Sequence, residues 1–297
     1  MNAVGSKEDV PDAARKRPAI SEKIKRAVRQ RCRFGCVVCG CPVFEYDHIT
    51  PYSEVQCHEE SNLTLLCSIH HADKTHGRLS EDLVRHYDAH PCNDKAGYTS
   101  PYKIMPDKNI SIIIGSNRLI KGFPTGNGDY SCLATTASGE KGSCVVSFAT
   151  LHAEAGWLSL SMMLTDRQGQ PVLSIDHGEI VSSSGVWDFH YEGATLKIRE
   201  KLGSILLDMD FASDRCEIRK GLFLNSSLDG FIVDNAKLTP VVNHRSSLEI
   251  SGSYCVDGNG GIVIFHEAHF HDPHVPGAPR GFGFCYFVEN PLKHKSP

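Results

Sequence analysis

The chain lacks any apolar run approaching the roughly 18 residues that a membrane-spanning helix requires, which argues against a helical membrane protein. Met1 to Pro11 holds no hydrophobic stretch, so no secretory signal is read there and a cytoplasmic location is expected. The net charge is small, −4 over 297 residues, and residues 101–297 carry all of it, which makes that part a poor clamp for DNA. That larger part also lacks a convincing catalytic constellation. His266-Glu267-x-His269 has the wrong spacing for a helical zinc-protease motif, whose histidines stand four apart. His266, His269, His271 and His274, with Glu267 and Asp272 between, read as a polar loop before Pro273 and Pro276; the alternative is an extended stretch on which His269 and His271 share a face and could bind a metal. Without a signal segment, twelve cysteines point to reduced thiols rather than to a disulfide framework.

What is present is concentrated. Cys36-x2-Cys39, Asp47-His48-Ile49, Asn62-Leu63 and Cys67-x2-His70-His71 fall in order within 36 residues. Two ligands separated by two residues can reach one ion from a tight turn. Cys36, Cys39, Cys67 and His70 therefore make a soft, four-ligand set suited to tetrahedral Zn²⁺ in a structural role. Cys32 and Cys41 flank the first pair and remain alternatives. Cys32 ends a predicted helix and Cys41 precedes Pro42, so Cys36 and Cys39 are preferred. A segment of about 70 residues with modest apolar content rarely builds a sufficient core without such a staple.

Val43 to Ile49 alternates as a short strand, on which Asp47 and His48 point to opposite faces. Ser68 through Arg78 reads as a helix. His71 lies about 100° around it from His70, so the adjacent histidines can serve two separate ions.

These residues resemble the HNH nuclease family, the ββα-metal fold. Its pattern is C-x2-C, [DH]-H-[IV]-x-P, N-L and L-C-x2-[CH]-H-x2-K. Here it reads Cys36-x2-Cys39, Asp47-His48-Ile49-Thr50-Pro51, Asn62-Leu63 and Leu66-Cys67-x2-His70-His71-x2-Lys74. His70 stands in place of the more usual fourth cysteine. Some members add a metal ligand one turn after the last histidine, where this chain has Thr75; His76 lies off that face. The resemblance implies a DNA endonuclease hydrolysing phosphodiester bonds, with His48, Asn62 and His71 as catalytic residues. His48 would be the general base, Asp47 and His71 would hold one Mg²⁺ or Mn²⁺, and Asn62 would brace the turn and orient His48. Lys74 would contact a neighbouring phosphate. An imidazole with an ordinary pKa of about 6.5 is suited to take a proton from water near neutral pH.

A basic segment precedes the motif. Nine Lys or Arg residues and one acid, Glu22, occur between Arg15 and Arg33. Ser21 is placed to cap a helix over 22–32, with Ile20, Ile24, Ala27 and Val28 on one face. Lys25, Arg26, Arg29 and Arg33, together with Lys74, are the expected DNA contacts, with Lys23 on another face of the same helix.

The expected class is α+β. Residues 1–19 form a disordered basic tail, 20–90 the zinc-stapled HNH module, 91–108 a Pro- and Gly-marked linker, 109–292 a β-rich domain and 293–297 a tail. Runs such as Ile110–Ile114, Trp157–Leu164, Thr195–Arg199 and Ile205–Phe211 alternate between turn signals, as expected of a mainly antiparallel all-β domain. A two-sheet sandwich is favoured. The recurring units Leu196-Lys197-Ile198-Arg199 and Cys216-Glu217-Ile218-Arg219 suggest a β-solenoid as the rival, without a fixed period. Cys132, Cys144, Cys216, Cys255 and Cys285 read as core residues. The β domain is expected to act as regulator or specificity module, through a ligand, a protein partner or a homo-oligomer, in a restriction or antiphage nuclease. The alternative is a non-catalytic, zinc-dependent nucleic-acid-binding module whose function lies in the β domain.

Overall fold

The computed structural model describes residues 17–122, 126–139, 142–241, 249–256, 262–264 and 285–287, with side chains left aside at 136–139, 142–146, 255–256, 263–264 and 285–287. The His266–His274 cluster and residues 1–16 of the basic tail lie outside this range, as do the side chains of Cys144, Cys255 and Cys285. The class is mixed α+β: an N-terminal region of helices with one small sheet, then a larger β-rich region.

Helix α1 (Glu22–Arg31) begins where expected, with the Ser21 hydroxyl accepting from the Ile24 amide at 3.4 Å. It stops one residue short of the expected end. Arg33 and Phe34 adopt φ of 55° and 60°, and the Phe34 amide bonds the Arg29 carbonyl at 2.9 Å, which breaks the helical ladder. The turn has a use: it drops Phe34 into the core of the β-rich region. The apolar face of α1 packs instead on β1 (Glu45–His48) and β2 (Leu63–Leu66), an antiparallel pair that sets Asp47 opposite Thr64 and His48 opposite Leu63. Between these strands lie α2 (Tyr52–Val55) and a 3₁₀ turn (Glu60–Asn62). After β2 comes α3 (Ser68–Thr75), shorter than the expected 68–78 because the chain leaves helical geometry at Gly77, φ 72°. Ser80 caps α4 (Glu81–Ala89), a helix the sequence reading did not single out.

Residues 91–108 are structured rather than a free connection. They contain α5 (Cys92–Ala96) and β3 (Tyr102–Lys103), and they grip the neighbouring turn. Asn93 is buried and donates to the carbonyls of Arg33 and Gly40 at 3.0 and 3.2 Å, while the Ser100 hydroxyl donates to the Cys39 carbonyl at 2.5 Å. Gly40 has φ 77°, and a Cβ there would sit 2.1 Å from Asn93 Oδ1, so the turn after Cys39 requires glycine.

The remaining strands build two sheets over one shared apolar core. The first runs β19 (Cys285–Phe287), β18 (Ile262–Ile264), β6 (Gly128–Gly139), β7 (Gly142–Glu154), β8 (Trp157–Thr165), β9 (Pro171–Asp176), β10 (Glu179–Ser182) and β3. The second runs β11 (Asp188–Glu192), β12 (Thr195–Lys201), β13 (Ser204–Phe211), β14 (Arg215–Leu224), β4 (Asn109–Ile114), β5 (Asn117–Gly122) and β17 (Tyr254–Val256). A hairpin of β15 (Gly230–Asp234) and β16 (Lys237–Val241) branches from β14. Phe148 meets Phe223 and Phe231 edge-on at 6.2 and 6.0 Å, joining the sheets through their inner faces.

The described strands show no solenoid closure. Sequence neighbours β11 to β14 pair antiparallel as hairpins instead of stacking as coils. The repeat-like units have a simpler cause. They lie on β12 and β14, which flank β13: Leu196, Ile198, Cys216 and Ile218 are buried, while Lys197 and Arg219 reach Asp208 of β13. No described helix is long and apolar enough to cross a membrane.

Candidate metal centre and the cavity beside it

The two ligand pairs converge. Cys36 and Cys39 come from the turn after α1, Cys67 precedes the first residue of α3, and His70 lies in that helix's first turn. Their donor atoms all lie within 4.8 Å of one another. Cys39 Sγ is 3.8 Å from Cys67 Sγ, and His70 Nδ1 is 3.4 Å from Cys36 Sγ and 3.2 Å from Cys67 Sγ. A tetrahedral ion with Zn–S near 2.3 Å and Zn–N near 2.0 Å gives ligand edges of about 3.8 Å for S···S and about 3.5 Å for S···N. The donor set therefore fits a structural zinc site in both chemistry and size. The Cys36 thiol is pushed down to about 5, chiefly by its hydrogen bond with Cys39, against the opposing effect of burial. Cys39 is pushed up by the same bond and by burial. A metal ligand must be a thiolate, so zinc affinity at this cluster depends on pH.

The flanking alternatives fall elsewhere. Cys32 is buried beside Thr64 and Asp88, and burial pushes its thiol up to about 12, which suits a neutral core residue. Cys41 contributes its backbone carbonyl, which accepts from the Cys36 amide at 2.9 Å and shapes the turn.

Beside the cluster, a cavity of about 550 Å³ opens over the end of β1, lined in part by Arg17, Asp47, His48, Tyr52, His71 and Lys74. His71 turns away from the zinc ligands, as helical geometry requires, and its Nε2 lies 3.3 Å from Asp47 Oδ1. Its other nitrogen faces Glu45 at 3.9 Å. Lys74 Nζ lies 2.7 Å from Asp47 Oδ2, an ion contact without good hydrogen-bond alignment, and donates to the His48 carbonyl at 2.5 Å. Thr75 bonds its own helix, donating to the His71 carbonyl at 2.9 Å, and so does not replace the missing third ligand. Among the described residues, only the Cys36–Cys39–Cys67–His70 set brings three or more metal-type side chains together; Asp47 and His71 supply two.

His48 is buried. It receives a bond from Arg17 at Nδ1, 2.7 Å, and lies 3.0 Å from His58 through Nε2. Tyr52 packs edge-on against its ring at 5.3 Å. Its pKa is lowered from the ordinary histidine value, first by burial and then by Arg17 and His58. Asn62 does not touch the His48 ring. Its amide closes a two-bond clamp on Thr50, accepting from the Thr50 amide and donating to the Thr50 carbonyl, each at 2.9 Å. It therefore acts on His48 only through the backbone of the turn.

The basic helix is largely engaged internally. Arg29 is almost fully buried and bonded to Asp188 of β11. Arg26 stacks on Trp187 at 5.0 Å and lies 3.6 Å from the same carboxylate. Arg33 pairs with Asp94 at 2.7 Å while remaining half exposed, and Lys25 lies 3.4 Å from Glu22. Lys23 is the exposed cation of the helix. Sequence reasoning missed Arg17 and Tyr52 at the cavity, His58 against His48, and Asn93 behind the metal turn. No spacing rule joins them to the motif, although His58 is a histidine in a polar loop ten residues past His48.

No family model, curated protein or solved structure matches the chain. The N-terminal region carries a donor set that fits a structural zinc ion and is joined to a larger β-rich region.

Proposed function

We propose that residues 20–90 form an HNH-type endonuclease centre acting on DNA. The observation that carries this reading is the approach of Asp47 Oδ1 to His71 Nε2, 3.3 Å, in the cavity that also holds buried His48. One carboxylate and one imidazole at that separation fit neighbouring positions on a single Mg²⁺ or Mn²⁺, whose remaining ligands would be water and phosphate oxygens. That ion, when bound, would supply charge stabilisation on the scissile phosphate and the leaving oxygen. His48, whose pKa is lowered first by burial, would take a proton from the attacking water. Asn62 would fix the turn carrying it. Lys74, which lies on Asp47 at the cavity wall, would contact a neighbouring phosphate. The two sheets sharing one core would make a sandwich serving as regulator or specificity module, in a cytoplasmic restriction or antiphage nuclease.

A second reading asks less of the site: a zinc-dependent nucleic-acid-binding element without catalysis, with function carried by the β region. The Cys36–Cys39–Cys67–His70 cluster supports it directly. So does the state of the cavity, where Lys74 lies on Asp47 and Arg17 on His48, leaving both groups engaged by cations.

Plasmid nicking by the full chain with Mg²⁺ or Mn²⁺ separates the two. Cleavage abolished by His48→Ala and Asp47→Ala supports the endonuclease. Cleavage undiminished by His48→Ala rejects this centre. Zinc-dependent DNA retention with no cleavage by the wild-type chain establishes the second reading.

A further inference from the structure

We propose that His58 is a positioning residue for His48, locking it in the tautomer with hydrogen on Nε2 and leaving Nδ1 as the basic nitrogen on the cavity side. The catalytic consequence rests on the endonuclease reading; the tautomer rests on geometry alone.

The argument starts from two groups whose roles are not adjustable. A backbone carbonyl only accepts, and a guanidinium only donates. His58 Nε2 lies 2.7 Å from the Pro18 carbonyl oxygen, so that nitrogen carries a hydrogen. In a neutral imidazole the other nitrogen is then a lone pair, so His58 Nδ1 accepts. Its partner, 3.0 Å away, is His48 Nε2, which must donate. The remaining nitrogen of His48, Nδ1, is left with its lone pair. Arg17 Nη2 donates to it at 2.7 Å, as that assignment demands. Two fixed ends, a carbonyl and a guanidinium, thus determine the proton position on both rings between them.

The local chain explains how His58 gets there. Gln56 closes α2 in the left-handed region, φ 51°, and turns the chain back over the helix. His58 then packs against both Tyr52 and His48, with ring centroids 5.0 Å apart in each case. His48 is buried, so loss of His58 would leave a buried N–H without its partner and remove the preference between tautomers and ring orientations.

For the reaction, Arg17 Nη2 marks where the Nδ1 lone pair points, and the guanidinium must withdraw before a water can take its place. That water would give its proton to Nδ1 as its oxygen bonds to phosphorus and the ester oxygen leaves. His48 would then carry hydrogen on both nitrogens, and His58 Nδ1, still accepting from His48 Nε2–H, would stabilise that cation. This is the role of an orienting partner to a general base.

The test uses the full, zinc-loaded chain labelled with ¹⁵N-histidine, with long-range ¹H–¹⁵N spectra to read the protonated nitrogen of His48. Zinc content and circular dichroism monitor folding. The wild type is expected to show His48 with hydrogen on Nε2; finding it on Nδ1 overturns the proposal without any variant. His58→Gln can accept from His48 and donate to Pro18, and should keep the tautomer. His58→Leu should lose it and lower the kcat of Mg²⁺-dependent nicking at least about tenfold, within the roughly 10²–10⁴-fold that a positioned base supplies, with little change in KM. A folded His58→Leu chain with the wild-type tautomer and rate overturns the proposal. A tautomer that responds as expected in a chain that never cleaves DNA leaves the lock standing and removes the endonuclease reading instead.

Discussion

Arg29 of α1 and Asp188 of β11, 159 residues apart, form a two-bonded ion pair with neither side chain exposed: Nε to Oδ1 at 2.8 Å and Nη2 to Oδ2 at 3.0 Å. Arg199 adds a third contact to the carboxylate at 3.0 Å. Burial alone would lower the Arg29 pKa, but the bonds to Asp188, with help from Tyr46, outweigh it and the net direction is upward. The fourth partner gives the pair its reach. Arg29 Nη1 donates to the Tyr46 hydroxyl at 2.6 Å, and Tyr46 immediately precedes Asp47 on β1. A residue expected to lie on DNA therefore ties the metal-binding module to the β region, one residue from the cavity.

Removing the acid should be severe. Asp188→Ala leaves a buried guanidinium unpaired, for which breaking one side of a buried pair costs about 3–5 kcal/mol. Urea unfolding should show a loss of that size, partly recovered when Arg29→Met is combined with Asp188→Leu. A loss under about 1 kcal/mol would mean that the pair does not anchor α1.

Zinc content should follow the donor set and ignore the flanking cysteines. Native mass spectrometry is expected to find zinc in the wild type, loss of zinc in Cys67→Ser, and retention in Cys32→Ser. Chelation should expose the amides of residues 20–90 to hydrogen exchange, because the segment's own apolar cluster is small. Zinc lost in Cys32→Ser but kept in Cys67→Ser would reverse the assignment.

If α1 meets DNA, its exposed rim does so. Lys23→Ala with Lys25→Ala should weaken binding on every sequence and reduce the slope of log K against log salt by about 0.9 for each lost phosphate contact. Arg29→Ala should act mainly on stability, since its guanidinium is buried against Asp188. An unchanged salt slope in the lysine double variant would remove α1 from the DNA interface.

Acid stability should depend on Asp210 of β13. Its pKa is lowered, first by the hydrogen bond from Arg219 and then by Thr195 and neighbouring charge, against the effect of burial. A carboxylate depressed in the folded state binds fewer protons there than when unfolded. Its stabilisation is therefore present above the unfolded carboxylate value near 4 and is lost as pH falls through the lower folded value. Asp210→Asn should be less stable than wild type at neutral pH, with the difference closing below about pH 4. A gap that stays constant down to pH 2 would contradict this.

Cys36, Cys39, Cys67 and His70 were legible because ligand reach over two intervening residues is a local property. Ser21 was legible as a cap for the same reason, since its hydroxyl needs only the amide three residues on. Leu196, Ile198, Cys216 and Ile218 were legible as one buried face, because strand alternation shows which side is apolar. It does not show which strand lies next, and that is why the similar units on β12 and β14 suggested a coil. The structure shows them flanking β13 and sharing its acids.

The internal partners of the arginines were hidden for a related reason. Charge density along a helix is visible in sequence, but Asp188, which consumes Arg29 and much of Arg26, is brought there by a sheet built from residues far downstream. His58 escaped notice because no motif spacing sets it against His48; a left-handed turn at Gln56 and the Pro18 carbonyl do.

The sequence by itself determined the zinc-type donor set, the divergent directions of His70 and His71, and the alternating faces of the β strands. Each depends only on helical, strand or turn geometry over a few residues. Tertiary structure alone decided that Arg29 ties α1 to β11, that Asn93 braces the metal turn, that Lys74 lies on Asp47, and that Pro18, His58, His48 and Arg17 form one directed chain of hydrogen bonds. Those outcomes require distant segments to meet with donor facing acceptor, which local propensity does not encode.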